Sequence, residues 1–358
     1  MVRTRLVSQQ ITGSRFSKPG EVVQWMGSVQ AQDYPAALWG VGLRTPAATR
    51  DSIERAIAKK QIVRTWPMRG TLHFVAPNDV RWMLRYLTPR IVSRASMRFR
   101  QLHLDEATFA RSRTILAKIL RGGKQLARDS IYALLERNRV SCRGQRGIHI
   151  LWKLSQEGLV CFGPREGKQP TFVLLDEWVP SAKIPPRDVA LATLAKRYFT
   201  SHGPATLKDF AWWSGLAAAD ARSALEEVKG TFASEDIAGQ TYWFQEKIAA
   251  RPVTEQSVCL LPAFDEFLVA YKDRSAAIDA PHARQAHPGG GILRPTVLID
   301  GKIIGTWKRT VEKDVVVIQL STFITLSKPQ RVDVEGSAER YGRFWGTRVA
   351  IKTRTERK

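Results

Sequence analysis

The chain has 358 residues, long enough for two or three domains with a hydrophobic core in each. Its 56 lysines and arginines against 33 acidic residues give a formal net charge of +23 and a pI near 10.4, which points to a polyanionic partner: DNA, RNA or an anionic membrane surface. Cys142, Cys161 and Cys259 lie far apart without CxxC spacing, which argues against a disulfide framework or a cysteine zinc site. With no apolar run of membrane length and no apolar leader, the expected setting is a reducing cytoplasm and, inside it, the nucleoid.

In chain order, residues 3–12 and Pro19 to Met26 read as short helices, with Ser17 as a cap and Pro19 near the first helical position. Gln30-Ala31-Gln32-Asp33 follows, then a small apolar helix from Ala36 to Leu43 and another from Thr49 to Lys59. Gln61 to Trp66 and Thr71 to Val75 are β-prone runs joined by Pro67-Met68-Arg69-Gly70, which is hairpin chemistry. Helices followed by such a hairpin make a winged-helix pattern, and the pattern recurs. Helices at 107–121, 127–138 and 146–156 precede strands at 159–162 and 171–175. After the Pro185-Pro186 linker, helices ending at Phe199 and spanning 206–213 and 218–228 precede strands at 231–236 and 240–244. Beyond Pro252 the texture turns to strands, at 257–261, 294–299, 302–307, 315–323 and 343–351, with an Asp300-Gly301 hairpin signal. The expected architecture is therefore α+β: three tandem winged-helix units (1–105, 106–183, 184–252) and a C-terminal β-barrel or sandwich (253–358) with one projecting hairpin.

The basic charge is unevenly placed. Residues 1–180 hold 30 lysines and arginines against 13 acidic residues, whereas residues 181–358 hold 26 against 20, so the N-terminal half is expected to grip the polyanion. Six arginines fall between Arg81 and Arg100 with no acidic residue from Val80 to Leu104. Arg81/Arg85 and Arg90/Arg94/Arg98 follow i,i+4 spacing, which puts each set on one helix face where a phosphate backbone would relieve their repulsion. Arg64 lies on the first wing, with Arg69 at its tip and Arg165 at the tip of the second. Lys302, Lys308 and Arg309, on and just after the C-terminal hairpin, complete the candidate DNA contacts.

If the backbone is extended or breaks from a helix at Gln30 and Gln32, both amides can face one cavity and, being neutral, hold a water or a leaving group. The competing reading of these residues alone is a polar helix end exposed to solvent. Trp212-Trp213 read as core within an apolar helix. Asp265-Glu266 is the best carboxylate pair, but neighbours on a strand point to opposite faces, so a structural role toward backbone or the Lys272/Arg274 region is expected. The histidines make no HxxxH or HxE spacing and no phosphate-binding glycine loop occurs, so neither a metal nor another cofactor is expected.

Five ordered stretches together resemble the AlkZ/YcaQ family of bacterial winged-helix DNA glycosylases. They are Val29-Gln-Ala-Gln-Asp33, Val63-Arg-Thr-Trp-Pro-Met-Arg-Gly-Thr-Leu-His73, His202-Gly-Pro-Ala-Thr with Asp209-Phe-Ala-Trp-Trp-Ser-Gly215, Leu261-Pro-Ala-Phe-Asp-Glu-Phe267 with Asp273-Arg274, and Pro295 through Trp307. The resemblance implies three winged helices and a β-barrel that form a concave basic channel for DNA, and removal of N7-alkylated guanines, with cross-link unhooking in some members. Gln30-Ala31-Gln32 matches the AlkZ glutamine–any–glutamine motif, so the resemblance makes Gln30 and Gln32 the catalytic residues of a monomeric, monofunctional glycosylase acting on double-stranded DNA. Asp33 stands one place beyond the aspartate of the YcaQ form and does not inherit that role. A non-catalytic winged-helix DNA-binding regulator is the competing reading, and an RNA or membrane-surface binder rests on charge alone.

Overall fold

Proline and glycine set many of the element boundaries seen in a computed structural model, which describes residues 1–249, 257–312 and 315–355. The boundary read at residues 252 and 253 lies outside the described residues. The chain divides into two compact units, one formed by Met1–Ile53 with Leu191–Lys358 and the other by Glu54–Ala190.

In the Glu54–Ala190 unit both sequence-predicted hairpins are present and share one sheet. Its strands run Thr71–Val75, Val63–Met68, Val160–Phe162, Thr171–Leu174 and Leu126–Ala127 in that order, with Arg64 opposite Phe162 where the hairpins meet. The register of the first hairpin shifts between Thr65 and Met68, where Pro67 has no N–H to donate. Helices Glu106–Ile119 and Arg146–Gln156 cover the sheet, burying Leu116, Ile150, Leu151 and Leu154 against Trp66, Phe162 and Phe172. The arginine-rich run is three short helices, Pro77–Leu87, Pro89–Arg94 and Ser96–Gln101. Arg90 and Arg94 share the helix Pro89–Arg94, but the break at Ala95 puts Arg98 on the next helix and interrupts the single face expected for the three.

The other unit contains the N-terminal helices Val2–Ser8, Pro19–Met26 and Tyr34–Leu43. Lys18, rather than Ser17, occupies the cap of Pro19–Met26. Later in the chain come Leu207–Ser214, opened by a Thr206/Asp209 capping box, then Ala218–Glu226 and the hairpin Ala233–Ile237/Gln240–Phe244.

The C-terminal strands form an open five-stranded sheet in the order Arg348–Thr355, Val315–Thr322, Lys302–Glu312, Thr296–Ile299, Val258–Leu261. It does not close into a barrel. The first two of these strands pair in parallel, and the crossover between them is the 18-residue helix Lys328–Trp345, whose two ends carry a Ser327/Gln330 capping box and a left-handed Gly346. That helix displaces the strand expected to begin at Arg343, since Arg343, Phe344 and Trp345 are its last turn. The Asp300-Gly301 turn is present with both residues at positive φ, but Ser257 N–H donates to Asp300 and Lys302 pairs with Asp279 at 3.2 Å, so the turn is tied down. The longer hairpin is the next one, Lys302–Glu312 with Val315–Thr322, and residues 308–312 are exposed.

Candidate active site

The glutamine motif is fixed at both ends. Helix Pro19–Met26 stops at Gly27, where φ is +76° and a Cβ would meet the Trp213 ring at 3.4 Å. The backbone is then extended through Val29–Gln30, and the Gln30 N–H donates to Glu266 Oε1 at 2.8 Å. Beyond Gln32, Asp33 caps helix Tyr34–Leu43 by accepting from the Ala36 N–H at 3.0 Å. Gln30 is buried and Gln32 is exposed. The helix that follows is held close to Lys328–Trp345 because Gly42 leaves room for the Phe344 ring, and Trp39 packs edge-on to Tyr341.

Glu266 is the centre of a buried network. It and Asp265 open a short helix, Glu266–Val269, rather than lying on a strand, and Asp265 caps it through the Phe267 N–H. Asp265 also holds Arg44 bidentately at 2.8 and 2.9 Å, and the same guanidinium donates to the Gln9 and Gly40 carbonyls and to Gln9 Oε1. Burial works against the Arg44 cation, but the adjoining carboxylate outweighs it and its pKa lies above the ordinary arginine value. Trp213 Nε1 donates to Glu266 Oε2 at 3.0 Å, and His202 Nε2 lies 3.7 Å from the same oxygen. Burial lowers the pKa of His202, so the ring is neutral near pH 7, stacked on Tyr198. The structural role expected for Asp265-Glu266 is therefore present, with Arg44 and the Gln30 backbone as partners instead of Lys272 or Arg274. Of the two adjacent tryptophans read as core, Trp213 is buried and Trp212 is half exposed.

The candidate DNA-contacting side chains fall into different settings. In the Glu54–Ala190 unit, Arg90, Arg94 and Arg98 are exposed, and Arg98 donates to Gln101 and Gln145. Arg81 is bound to Asp176 at 2.6 Å and to two backbone carbonyls, so it is largely committed within the protein. Arg64 is buried over the Phe162 ring, 4.8 Å from its centroid. Arg69, at positive φ in the wing turn, donates to His73 Nε2 at 3.0 Å. His73 Nδ1 lies 2.9 Å from the Thr71 carbonyl, which fixes the tautomer in which Nε2 accepts; burial, then the Arg69 charge, hold this ring neutral. Arg165 is half-buried in its turn and donates to the Lys168 carbonyl. In the other unit Lys302, Lys308 and Arg309 are exposed, and Arg309 donates to the Tyr341 hydroxyl at 2.6 Å. Among the described residues no cluster of three or more His, Cys, Asp or Glu side chains could hold a metal.

A family model described as "DNA glycosylase AlkZ-like" matches residues 23–344, beginning just ahead of the glutamine motif. The chain belongs to the AlkZ-like DNA glycosylase family. It is a DNA repair enzyme of the glycosylase class. A relative from Streptomyces sahachiroi, named interstrand DNA cross-link repair glycosylase, is 29% identical over 324 residues, covering 83% of each chain. The solved structure of Streptomyces sahachiroi DNA glycosylase AlkZ shares the fold, with a TM-score of 0.81, 24% identity, and coverage of 99% of this chain and 98% of that one. Sequence reasoning missed the buried clamp of this AlkZ-like protein: Glu266 lies 236 residues from the N–H it holds.

Proposed function

We propose that this glycosylase removes N7-alkylated, cationic purines from double-stranded DNA by hydrolysing the N-glycosidic bond, with Gln30 and Gln32 as the catalytic residues. The observation that carries the proposal is the Gln30-Ala31-Gln32 motif, which leaves a short strand at Gln30, bends at Gln32, and is held by a buried carboxylate on the Gln30 N–H and by the helix cap at Asp33. Alkylation at N7 puts positive charge on the base, so it leaves without a general acid. What remains is to place a water beneath the sugar and to stabilise the cation that develops there. Amide carbonyl oxygens do both: they accept from the water and turn their negative ends toward the sugar. A neutral pair stabilises that cation less than a carboxylate would, which suits a lesion already primed to leave and spares normal purines.

The DNA would be gripped by the exposed arginines Arg90, Arg94 and Arg98, by Arg69 and Arg165 at the two turns, and by Lys302, Lys308 and Arg309, with Arg64 supporting the first wing. In this reading the segments 1–105, 106–183 and 184–252 act as winged helices lining a basic channel, and the protein works as a monomer at the nucleoid. Unhooking of interstrand cross-links is proposed by analogy with the Streptomyces relative's name. The test is incubation with duplex DNA carrying a single N7-methylguanine, followed by cleavage at abasic sites. Strand breaks at the lesion are expected, and a protein that binds this duplex but yields none would be a DNA-binding protein only.

A further inference from the structure

Directly after Gln32 the chain enters a cavity that the chemistry above does not use. Asp33, Trp39, Pro262, Pro295, Trp307 and Arg309 line it, and its volume is about 70 Å³, small beside most ligand pockets. The two indoles are buried, and their N–H groups are spent on the Leu260 carbonyl (2.7 Å) and the Leu261 carbonyl (2.8 Å), so they offer the cavity carbon surface only. Two charged groups of opposite sign complete the lining. The Asp33 carboxylate uses Oδ1 for the helix cap, which leaves Oδ2 for a ligand. The Arg309 guanidinium is fixed by the Tyr341 hydroxyl at 2.6 Å and lies 4.9 Å from the centroid of the Trp345 ring.

A small recess with indole walls, a carboxylate acceptor and a fixed cationic donor suits the edge of a heterocycle that shows a donor and an acceptor side by side. Guanine does so, since N1–H and the N2 amino group are adjacent donors and O6 is an acceptor beside them. Adenine presents a lone pair at N1, which would face the carboxylate unfavourably. A phosphate would meet the same obstacle. We propose that this cavity receives the guanine base itself as the bond to its sugar breaks, with Asp33 Oδ2 accepting from N1–H and Arg309 donating to O6. The proposal rests on the glycosylase reading of Gln30 and Gln32 and adds to it a pocket for the leaving base.

Calorimetric titration of the full-length protein with free 7-methylguanine tests the pocket, with 3-methyladenine as the competing purine. Saturable binding is expected, at least about tenfold tighter for 7-methylguanine, which is the discrimination a two-point edge contact gives. Asp33→Asn keeps an oxygen for the Ala36 N–H, so the helix cap survives, but places an amino group against the guanine donors. It should weaken 7-methylguanine by about tenfold or more, and Arg309→Gln should weaken it less. No uptake of free base by the parent, indifference between the two purines, or unchanged binding in Asp33→Asn each overturns the proposal. Excision from DNA, measured on the same preparation, separates the two ideas. Excision without free-base binding removes the pocket and leaves the glycosylase reading intact, whereas free-base binding without excision does the reverse.

Discussion

Glu266→Gln isolates the link between the buried network and the glutamine motif. Glu266 is 1% exposed, and its two oxygens accept from the Gln30 N–H at 2.8 Å and Trp213 Nε1 at 3.0 Å. A glutamine in its place fits sterically but offers one oxygen to two donors. One buried N–H then loses its acceptor, at a cost of about 1–3 kcal/mol. Loss of a buried negative charge offsets part of this, so the protein should fold and its urea midpoint should fall modestly. If the amide nitrogen turns toward Gln30, the two N–H groups oppose each other and the motif must shift. A displacement of about 1 Å at a reacting group costs on the order of a hundredfold in rate. Single-turnover release of 7-methylguanine from a duplex oligonucleotide should therefore slow by roughly tenfold to a hundredfold. DNA affinity, read by fluorescence anisotropy, should hold, because the carboxylate is not on the surface. A folded Glu266→Gln protein that excises at the parental rate refutes the positioning role.

Other consequences are as direct. If about six phosphates are neutralised, log K for DNA should fall with log salt at a slope near −5, and replacing Arg90, Arg94 and Arg98 together should flatten it by up to about three units; an unchanged slope in filter-binding titrations removes these arginines from the footprint. Asp265→Asn strands the Arg44 cation in the core and should cost about 3–5 kcal/mol in urea unfolding, with a loss under 1 kcal/mol contradicting the pairing. His202 and His73 have folded pKa values lowered below about 6.5 by burial, so the unfolded chain takes up protons first as pH falls. The stability they contribute is full above about 6.5 and declines as pH drops from there toward the folded values. The urea midpoint should fall between pH 7 and pH 5, and less so in His202→Gln; a midpoint flat over that range would mean neither ring resists protonation.

Local punctuation made much of the fold legible. Pro19 through Met26 and Arg146 through Gln156 form helices over the residues read from sequence, each an amphipathic run with clear stops. Helix Lys328–Trp345 was not read, because Val332, Val334, Gly336 and Gly342 dilute its helical signal and its closing aromatics resemble a strand. It forms because Tyr341 and Phe344 bury against Trp39, a partner some three hundred residues earlier. The motif itself was visible as Gln30-Ala31-Gln32, but what steadies it was not. Asp265-Glu266 was noticed as a pair, yet nothing local shows that one carboxylate neutralises Arg44 and the other holds the Gln30 N–H. The arginine run likewise hid the fact that Arg81 is taken by Asp176, 95 residues on.

The central claim is that the two glutamines perform the chemical step, and Gln32→Ala tests it most directly. Gln32 is exposed and uncharged, so its removal should leave folding and DNA affinity intact. Losing one preorganised polar contact to the transition state typically costs about 3–4 kcal/mol. Single-turnover excision of N7-methylguanine by Gln32→Ala should thus fall by about a hundredfold to a thousandfold, while Gln32→Asp, which can hold the same water, should stay active. Excision by Gln32→Ala at the parental rate would contradict the account.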